Sequence, residues 1–89
     1  MPERFAIDTP KSILKSLKKI QLPWRERILD TMSELANNPL MGEIMTGKLQ
    51  EKRKVRVWPY RIIYKIDVKK RKIVITDLGH RGGSRIGYK

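Results

Sequence analysis

The hydrophobic pattern of this chain changes its period near residue 52. Over residues 10–37, apolar side chains recur every three or four residues, which is typical of one face of a helix. After residue 52 they recur at every second residue, which is typical of one face of a strand. The chain has 89 residues and no cysteine, so packing alone must hold it together. We therefore expect a single α+β domain over residues 1–89.

The first part of the chain predicts a short strand and a helical hairpin. Residues 3–8 alternate between polar and apolar side chains and predict the strand. One apolar stripe then predicts a first helix, and its members are Ile13, Leu14, Leu17 and Ile20. Pro23 begins a second helix, which the sequence Asn37-Asn38-Pro39 ends. Two short helices joined in this way can cover one face of a sheet.

Residues 40–51 separate the helical part from the alternating part. They contain two glycines and show no sustained hydrophobic period, so we expect a loop over the surface. We also expect several of its apolar side chains to reach the core, namely Met41, Ile44, Met45 and Leu49.

Three consecutive strands follow, joined by short connections. Val55 and Val57 alternate with basic residues in the first of them. The second extends over residues 60–66, with Ile63 interrupting its polar side, and the third covers residues 73–78. Because consecutive strands with short connections pair as neighbours, we expect an antiparallel meander. The predicted order is β-α-α-β-β-β, with the helical hairpin packed on one face of a small twisted, mainly antiparallel sheet.

The positive charge of the chain lies almost wholly in its second part. Residues 1–50 hold 8 basic and 6 acidic side chains, whereas residues 51–89 hold 13 basic and 3 acidic ones. The basic residues that alternate with the core positions of the predicted strands are Lys54, Arg56, Arg61 and Lys65. The net charge of +12 therefore predicts a basic sheet surface on the side that the helices leave uncovered. Such a surface favours phosphate-rich partners or an acidic protein.

The composition excludes or disfavours several kinds of catalytic site. His80 is the only histidine, so a pair of histidines cannot serve as acid and base. The three carboxylates of residues 51–89 lack metal-ligand spacing, and the sequence has no glycine-rich phosphate loop. We expect neither a metal nor a cofactor. No apolar run approaches the roughly 20 residues of a membrane helix, and the N-terminus lacks a signal-peptide stretch, so we expect a cytoplasmic protein without a membrane partner.

What remains is phosphate chemistry driven by positive charge. Cleaving RNA requires a base for the 2′-hydroxyl, positive charge for the phosphorane and an acid for the leaving 5′-oxygen. Crowded Lys and Arg side chains can supply all three, because neighbouring positive charge lowers the pKa of a lysine and an Arg fork holds non-bridging oxygens. Aromatic residues near the basic ones (Trp58, Tyr60 and Tyr88) leave open a simpler function, the binding of single-stranded nucleic acid.

The sequence K-V-R-V-W-P-Y-R-I-I-Y at residues 54–64 resembles the R-x-R-x-G-x-Y-R-I-I-Y strand pair of the RelE/ParE toxin superfamily. The segment L-G-H-R at residues 78–81 is similar to the closing G-H-R of that superfamily, and L-A-N-N-P and G-K-L also match. The similarity extends over nearly the whole chain. The chain departs from the pattern at Trp58-Pro59, where a glycine is common, and in a longer segment between Arg81 and Tyr88.

The resemblance implies a small α/β toxin that an acidic, RelB-like antitoxin binds and neutralises. In the RelE branch the toxin cuts mRNA on the ribosome and needs no metal. Members of the ParE branch share the fold but inhibit DNA gyrase and lack the nuclease residues. The basic residues of this chain favour the RelE branch. A catalytically inactive basic module that binds nucleic acid is the third alternative.

The resemblance also implies a role for five residues. Lys54 is the expected general base, and Arg56 is its electrostatic helper. Arg61 is expected to clamp the phosphate, and Arg81 to act as general acid or to stabilise the transition state. Tyr88 matches the tyrosine that stacks on a base. The basic residues that we expect to bind RNA beside them are Lys52, Arg53, Lys65 and Arg85.

Overall fold

Two helices pack on one face of a five-stranded sheet. The structure is a computed structural model, and it describes residues 4–45 and 52–80. Its elements in chain order are β1 (Ala6–Asp8), α1 (Lys11–Lys18), α2 (Leu22–Asn37), a short 3-10 helix (Pro39–Met41), β2 (Glu43–Ile44), β3 (Lys52–Val57), β4 (Tyr60–Asp67) and β5 (Lys72–His80). The predicted α+β class, with a helical hairpin on a small sheet, is confirmed.

The strands are arranged in the order β1-β5-β4-β3-β2. The predicted meander of β3, β4 and β5 is confirmed, and both of its pairings are antiparallel. The strand β1 adds in parallel to the outer edge of β5, where Ile7 lies opposite Ile73. The turn before β5 is closed by the Asp67 side chain, whose Oδ1 accepts a hydrogen bond of 3.1 Å from the amide of Lys70.

The core lies between the helices and one face of the sheet. Its buried side chains come from both helices, from the joint between them and from three strands: Ile13, Leu17, Ile20, Ile28, Met32, Leu35, Val57, Ile62, Tyr64, Ile73, Ile75 and Leu78. The prediction that Leu14 belongs to this core is wrong, because its side chain is 45% exposed. Leu14 follows Ile13 directly, so it lies about 100° further around the helix axis and turns away from the sheet.

The expectation of a loop over residues 40–51 is wrong for its first part. This part contains the end of the 3-10 helix and the strand β2, in which Glu43 pairs with Lys54 and Ile44 with Arg53. Ile44 and Met41 are exposed, so their predicted burial is also wrong. A two-residue strand at a sheet edge is held by backbone hydrogen bonds and needs no apolar period. Met45 is half-buried, and Leu49 lies outside the described residues.

Tyr64 joins the sheet to the segment before β2. Its ring is fully buried, and its hydroxyl accepts a hydrogen bond of 3.0 Å from the Gly42 amide and donates one of 2.7 Å to the Pro39 carbonyl. Burial raises the pKa of Tyr64 above its usual range, while the Gly42 hydrogen bond and the charge of Arg53 oppose that rise. The hydroxyl therefore stays protonated at neutral pH and can make both bonds.

We expect Tyr64→Phe to lower the free energy of unfolding by about 1 to 2 kcal/mol, because the Gly42 amide loses a buried partner. The pH dependence gives a second readout. In the unfolded chain Tyr64 ionises near pH 10.0, whereas in the folded state its pKa is higher. The wild type therefore loses stability as the pH rises above 10.0. Urea unfolding at pH 7 and pH 10.5 should show this loss in the wild type and a smaller one in the variant. Equal losses would contradict the assignment.

Candidate nucleic-acid interface

One face of the sheet carries a cluster of basic side chains. Because Ile62 and Tyr64 face the core, the residues between and beside them point to the opposite side of the sheet. The basic residues on that side form what we call the basic face: Lys52, Lys54, Arg56, Arg61 and Lys65. The predicted position of this basic surface, away from the helices, is confirmed. Ile63 lies among them and is buried, and methylene stems of long basic side chains can cover such an apolar neighbour.

The strand register places like charges opposite one another. Arg56 lies directly opposite Arg61, and Lys52 lies directly opposite Lys65. Side chains in such positions have Cβ atoms about 4.5–5.5 Å apart, and like charges at that separation repel each other. An anion bound between two such groups removes the repulsion. The basic face is thus suited to the phosphates of a nucleic acid or to the carboxylates of a protein.

A pocket of about 330 Å³ lies at the β3–β4 end of the basic face, and its lining residues are Arg56, Trp58, Tyr60 and Arg61. Arg56 is exposed and Arg61 is half-buried, with its Nε atom shielded from solvent. On β5, the residue paired with Arg61 is Gly79, which has no side chain to lie beside the guanidinium. Among the described residues, two arginines and two aromatic residues therefore meet at this pocket.

Lys54 occupies a different environment from the two arginines. It is half-buried in a row across the sheet, between Glu43 on one side and Ile63 on the other, with Asp77 beyond. A second pocket of about 200 Å³ is lined by Met41, Glu43, Lys54, Val55 and Arg56. Lys54 and Arg56 thus share one site, with a carboxylate beside it. Sequence reasoning missed Glu43, because it assigned this residue to a loop.

Not all of the predicted site residues come together. Arg53 lies on the helix side of β3, where its guanidinium donates hydrogen bonds of 2.8 Å to the Gly42 carbonyl and 3.4 Å to the Leu40 carbonyl. Its charge therefore holds the segment before β2 and is not part of the basic face. The remaining predicted residues, Arg81, Arg85 and Tyr88, lie outside the described residues. Trp58 and Tyr60 line the pocket, although only the proximity of aromatic and basic residues pointed to them in the sequence.

The described ranges, 4–45 and 52–80, contain neither a cluster of metal-binding side chains nor a membrane-spanning helix. No group of three or more His, Cys, Asp or Glu side chains in these ranges could hold a metal ion. None of the helices in them is long and apolar enough to cross a membrane.

The fold is that of the RelE toxins. The RelBE2 toxin–antitoxin complex of Mycobacterium tuberculosis superposes with a TM-score of 0.81 at 20% identity, covering 91% of this chain and 95% of that one. The isolated RelE toxin of E. coli gives a TM-score of 0.76 at 17% identity, with 92% and 89% covered. The archaeal RelE–RelB complex of Pyrococcus horikoshii gives 0.72 at 25% identity, with 94% and 100% covered.

The sequence family is equally well defined. A family model described as the ParE toxin of the type II toxin–antitoxin system parDE matches residues 8–84. The chain belongs to this family, within the RelE/ParE superfamily, and is a toxin of a type II toxin–antitoxin system. A comparison with curated proteins finds no match.

Proposed function

We propose that this toxin is a metal-independent endoribonuclease that cuts mRNA on the ribosome. The observation that supports this most is the pocket in which Arg56 and Arg61 lie opposite each other beside two aromatic rings. Such a pocket offers bidentate donors for a phosphate and flat surfaces for bases. The proposal places the protein in the cytoplasm, where ribosome-bound mRNA is found.

The reaction begins with attack of the ribose 2′-oxygen on the adjacent phosphorus and breaks the bond from phosphorus to the 5′-oxygen. Lys54 is the general base that accepts the proton of the 2′-hydroxyl. Arg61 and Arg56 hold the non-bridging oxygens as their negative charge grows. Arg81 protonates or stabilises the leaving 5′-oxygen, and Tyr88 stacks on a base to align the nucleotide.

The partner that inhibits the toxin is, in this proposal, an acidic antitoxin of the RelB type. Two of the similar structures are toxin–antitoxin complexes. The net charge of +12 and the pI near 10.4 favour an acidic partner through electrostatic complementarity. An antitoxin that covers the basic face would compete directly with RNA for Arg56, Arg61 and the lysines beside them.

A second candidate function is the activity that the resemblance implies for the ParE branch, inhibition of DNA gyrase without nuclease activity. The family match over residues 8–84 is the observation that keeps it as a candidate, since the matching model is described as the ParE toxin. The two candidates predict different lesions in the cell, namely cut transcripts or a loss of DNA supercoiling.

The test in cells is inducible expression of the wild-type toxin, followed by mapping of 5′ ends on transcripts and measurement of plasmid supercoiling. The proposal predicts growth arrest with new 5′ ends inside translated codons and unchanged supercoiling. Arrest with relaxed plasmids and intact transcripts would refute it in favour of gyrase inhibition. No arrest, together with RNA binding by the purified protein, would indicate a module that binds without cutting.

The lysines of the basic face should contribute to RNA binding through charge alone. Lys65 is exposed, and its flexible side chain carries an ammonium group that can pair with a phosphate. We expect Lys65→Gln to weaken binding to all RNA sequences alike and to reduce the slope of log affinity against log salt by about 0.7. Lys15→Gln, an equal charge loss on the exposed side of α1, is the matched control and should leave the slope unchanged. Equal slopes for both variants would exclude a phosphate contact at Lys65.

A further inference from the structure

We propose that Trp58 is a stacking platform for a nucleotide base, so that the pocket beside it binds one nucleotide with its phosphate on Arg56 and Arg61. The inference deepens the proposed function and rests on it in one respect, that the ligand of the basic face is RNA. It assigns a binding role to a residue at which this chain departs from the glycine common in the resembling sequences.

Trp58 is too exposed for its role to be core packing. Its side chain is 62% exposed, although it is one of only two tryptophans in the chain. An indole left in water at such a position loses the free energy that burial would provide. The loss is recovered when a flat, apolar surface of similar size covers the ring, and a base stacked on it is such a surface.

The ring of Trp58 packs against the ring of Trp24. It meets Trp24 at 6.1 Å between ring centroids with an interplanar angle of 79°, an edge-to-face contact. Trp24 packs against the core and carries the guanidinium of Arg27 at 5.3 Å from its ring centroid. Because an edge-to-face contact occupies at most one face of each ring, at least one face of Trp58 stays clear of Trp24. The contact with Trp24 therefore holds the Trp58 ring in place, and the exposure of Trp58 leaves room for a base to stack on it.

The charge beside Trp58 identifies the ligand. Trp58 lines the same pocket as Arg56 and Arg61, so a ligand there meets an aromatic face and two guanidinium groups together. The pocket volume of about 330 Å³ lies at the lower end of the range of small-ligand sites, about 300–1,000 Å³. A carboxylate of an acidic peptide would satisfy the arginines but would leave the indole exposed. A nucleotide satisfies both, since its phosphate and its base are held in one molecule.

The test compares the wild type with Trp58→Ala and Trp58→Phe in binding to a labelled pentanucleotide of adenosine, followed by fluorescence anisotropy at fixed salt. Trp58→Ala should raise the dissociation constant about 10-fold, since stacking contributes between 5-fold and 150-fold per base. Trp58→Phe keeps a smaller ring and should lose less. Neither variant removes a charge, so the salt dependence should stay that of the wild type. Circular dichroism should confirm that both variants fold.

Two controls make the result specific to stacking. The same oligonucleotide with abasic positions should bind wild type and Trp58→Ala with equal affinity. In a Trp24→Phe background, Trp58 is the sole indole, and the adenosine oligonucleotide should quench its fluorescence. Unchanged affinity in Trp58→Ala, or an equal effect on the abasic oligonucleotide, would overturn the inference. Normal RNA binding by Trp58→Ala, together with weaker binding of a peptide of alternating Glu and Leu, would also overturn the inference, because Trp58 would then contact a protein partner.

Failure of this inference can be told apart from failure of the proposed function. The binding assay contains no ribosome and needs no cleavage. Binding that depends on Trp58, in a toxin that leaves cellular transcripts intact, would support the platform and refute the nuclease. Cleavage at the wild-type rate by Trp58→Ala would refute the platform and leave the nuclease standing.

Discussion

Replacing Arg61 by alanine should lower the rate of mRNA cleavage on the ribosome by about 10²–10³-fold, the effect of removing one donor to a developing oxyanion. Arg61 is half-buried in the pocket that it shares with Arg56, so its guanidinium meets the phosphate with part of its water already removed. Its loss also removes the repulsion between two opposed cations, so the fold should persist. The measurement is single-turnover cleavage by purified toxin on ribosomes carrying a defined mRNA, together with thermal unfolding of each variant.

Two further variants make this prediction specific to the guanidinium. Arg61→Lys keeps a positive charge but not the planar fork, so its rate should fall between those of the wild type and Arg61→Ala. Lys15→Ala removes a charge from the exposed side of α1 and should cut at the wild-type rate. Full activity in Arg61→Ala would refute the proposed role of the pocket. A rate for Arg61→Lys equal to that of the wild type would show that charge alone is sufficient.

Gly42→Ala should lower the free energy of unfolding by about 3 kcal/mol, the upper end of the cost of overpacking a buried site. A Cβ atom at this position would lie 2.5 Å from Oη and 2.8 Å from Cε1 of Tyr64, and 2.9 Å from the carbonyl oxygen of Lys54. Gly42 has φ of −80°, which any residue adopts, so the effect comes from lack of space and not from backbone strain. Urea unfolding at pH 7 measures it.

The matched control for Gly42→Ala is the same change in a Tyr64→Phe background. Removing the hydroxyl removes the shortest of the three contacts, so the added methyl should cost about 1 kcal/mol less there. The contacts with Cε1 and with the Lys54 carbonyl remain, so some destabilisation should persist. A cost below 1 kcal/mol in the wild-type background, or strict additivity of the two changes, would contradict the close contact between Gly42 and the Tyr64 hydroxyl.

The elements with a clear hydrophobic period could be predicted from the sequence. The alternation around Ile62 and Tyr64 gives the correct inner face of β4, and the helical spacing gives the buried residues Ile13 and Leu17. The strand β2 could not be predicted, because its two residues are held by pairing with β3 and show no period of their own. Ile44 is predicted to lie in the core because the sequence shows its hydrophobicity but not its position at the sheet edge.

The candidate site could be predicted where strand alternation determines the direction of a side chain. Val57 and Ile62 face the core, so the neighbouring Arg56 and Arg61 are predicted to lie on the opposite face of the sheet. The strand register then brings the two arginines opposite each other. Arg53 has the same parity as Val55 and Val57, so alternation alone would have placed it on the helix side. The direction of the Trp58 side chain could not be predicted in this way, because Trp58 lies in a turn and strand alternation does not apply there. The catalytic and RNA-binding roles of all the site residues, including Arg81, Arg85 and Tyr88, remain predictions.

A reconstituted assay can establish whether the basic face cuts mRNA on the ribosome. Purified wild-type toxin is added to ribosomes carrying a 5′-labelled mRNA, to the same mRNA without ribosomes, and to DNA gyrase acting on a relaxed plasmid. The proposal predicts cleavage of the ribosome-bound mRNA inside translated codons, and supercoiling by gyrase at its normal rate. Intact mRNA on the ribosome together with inhibited gyrase would contradict it.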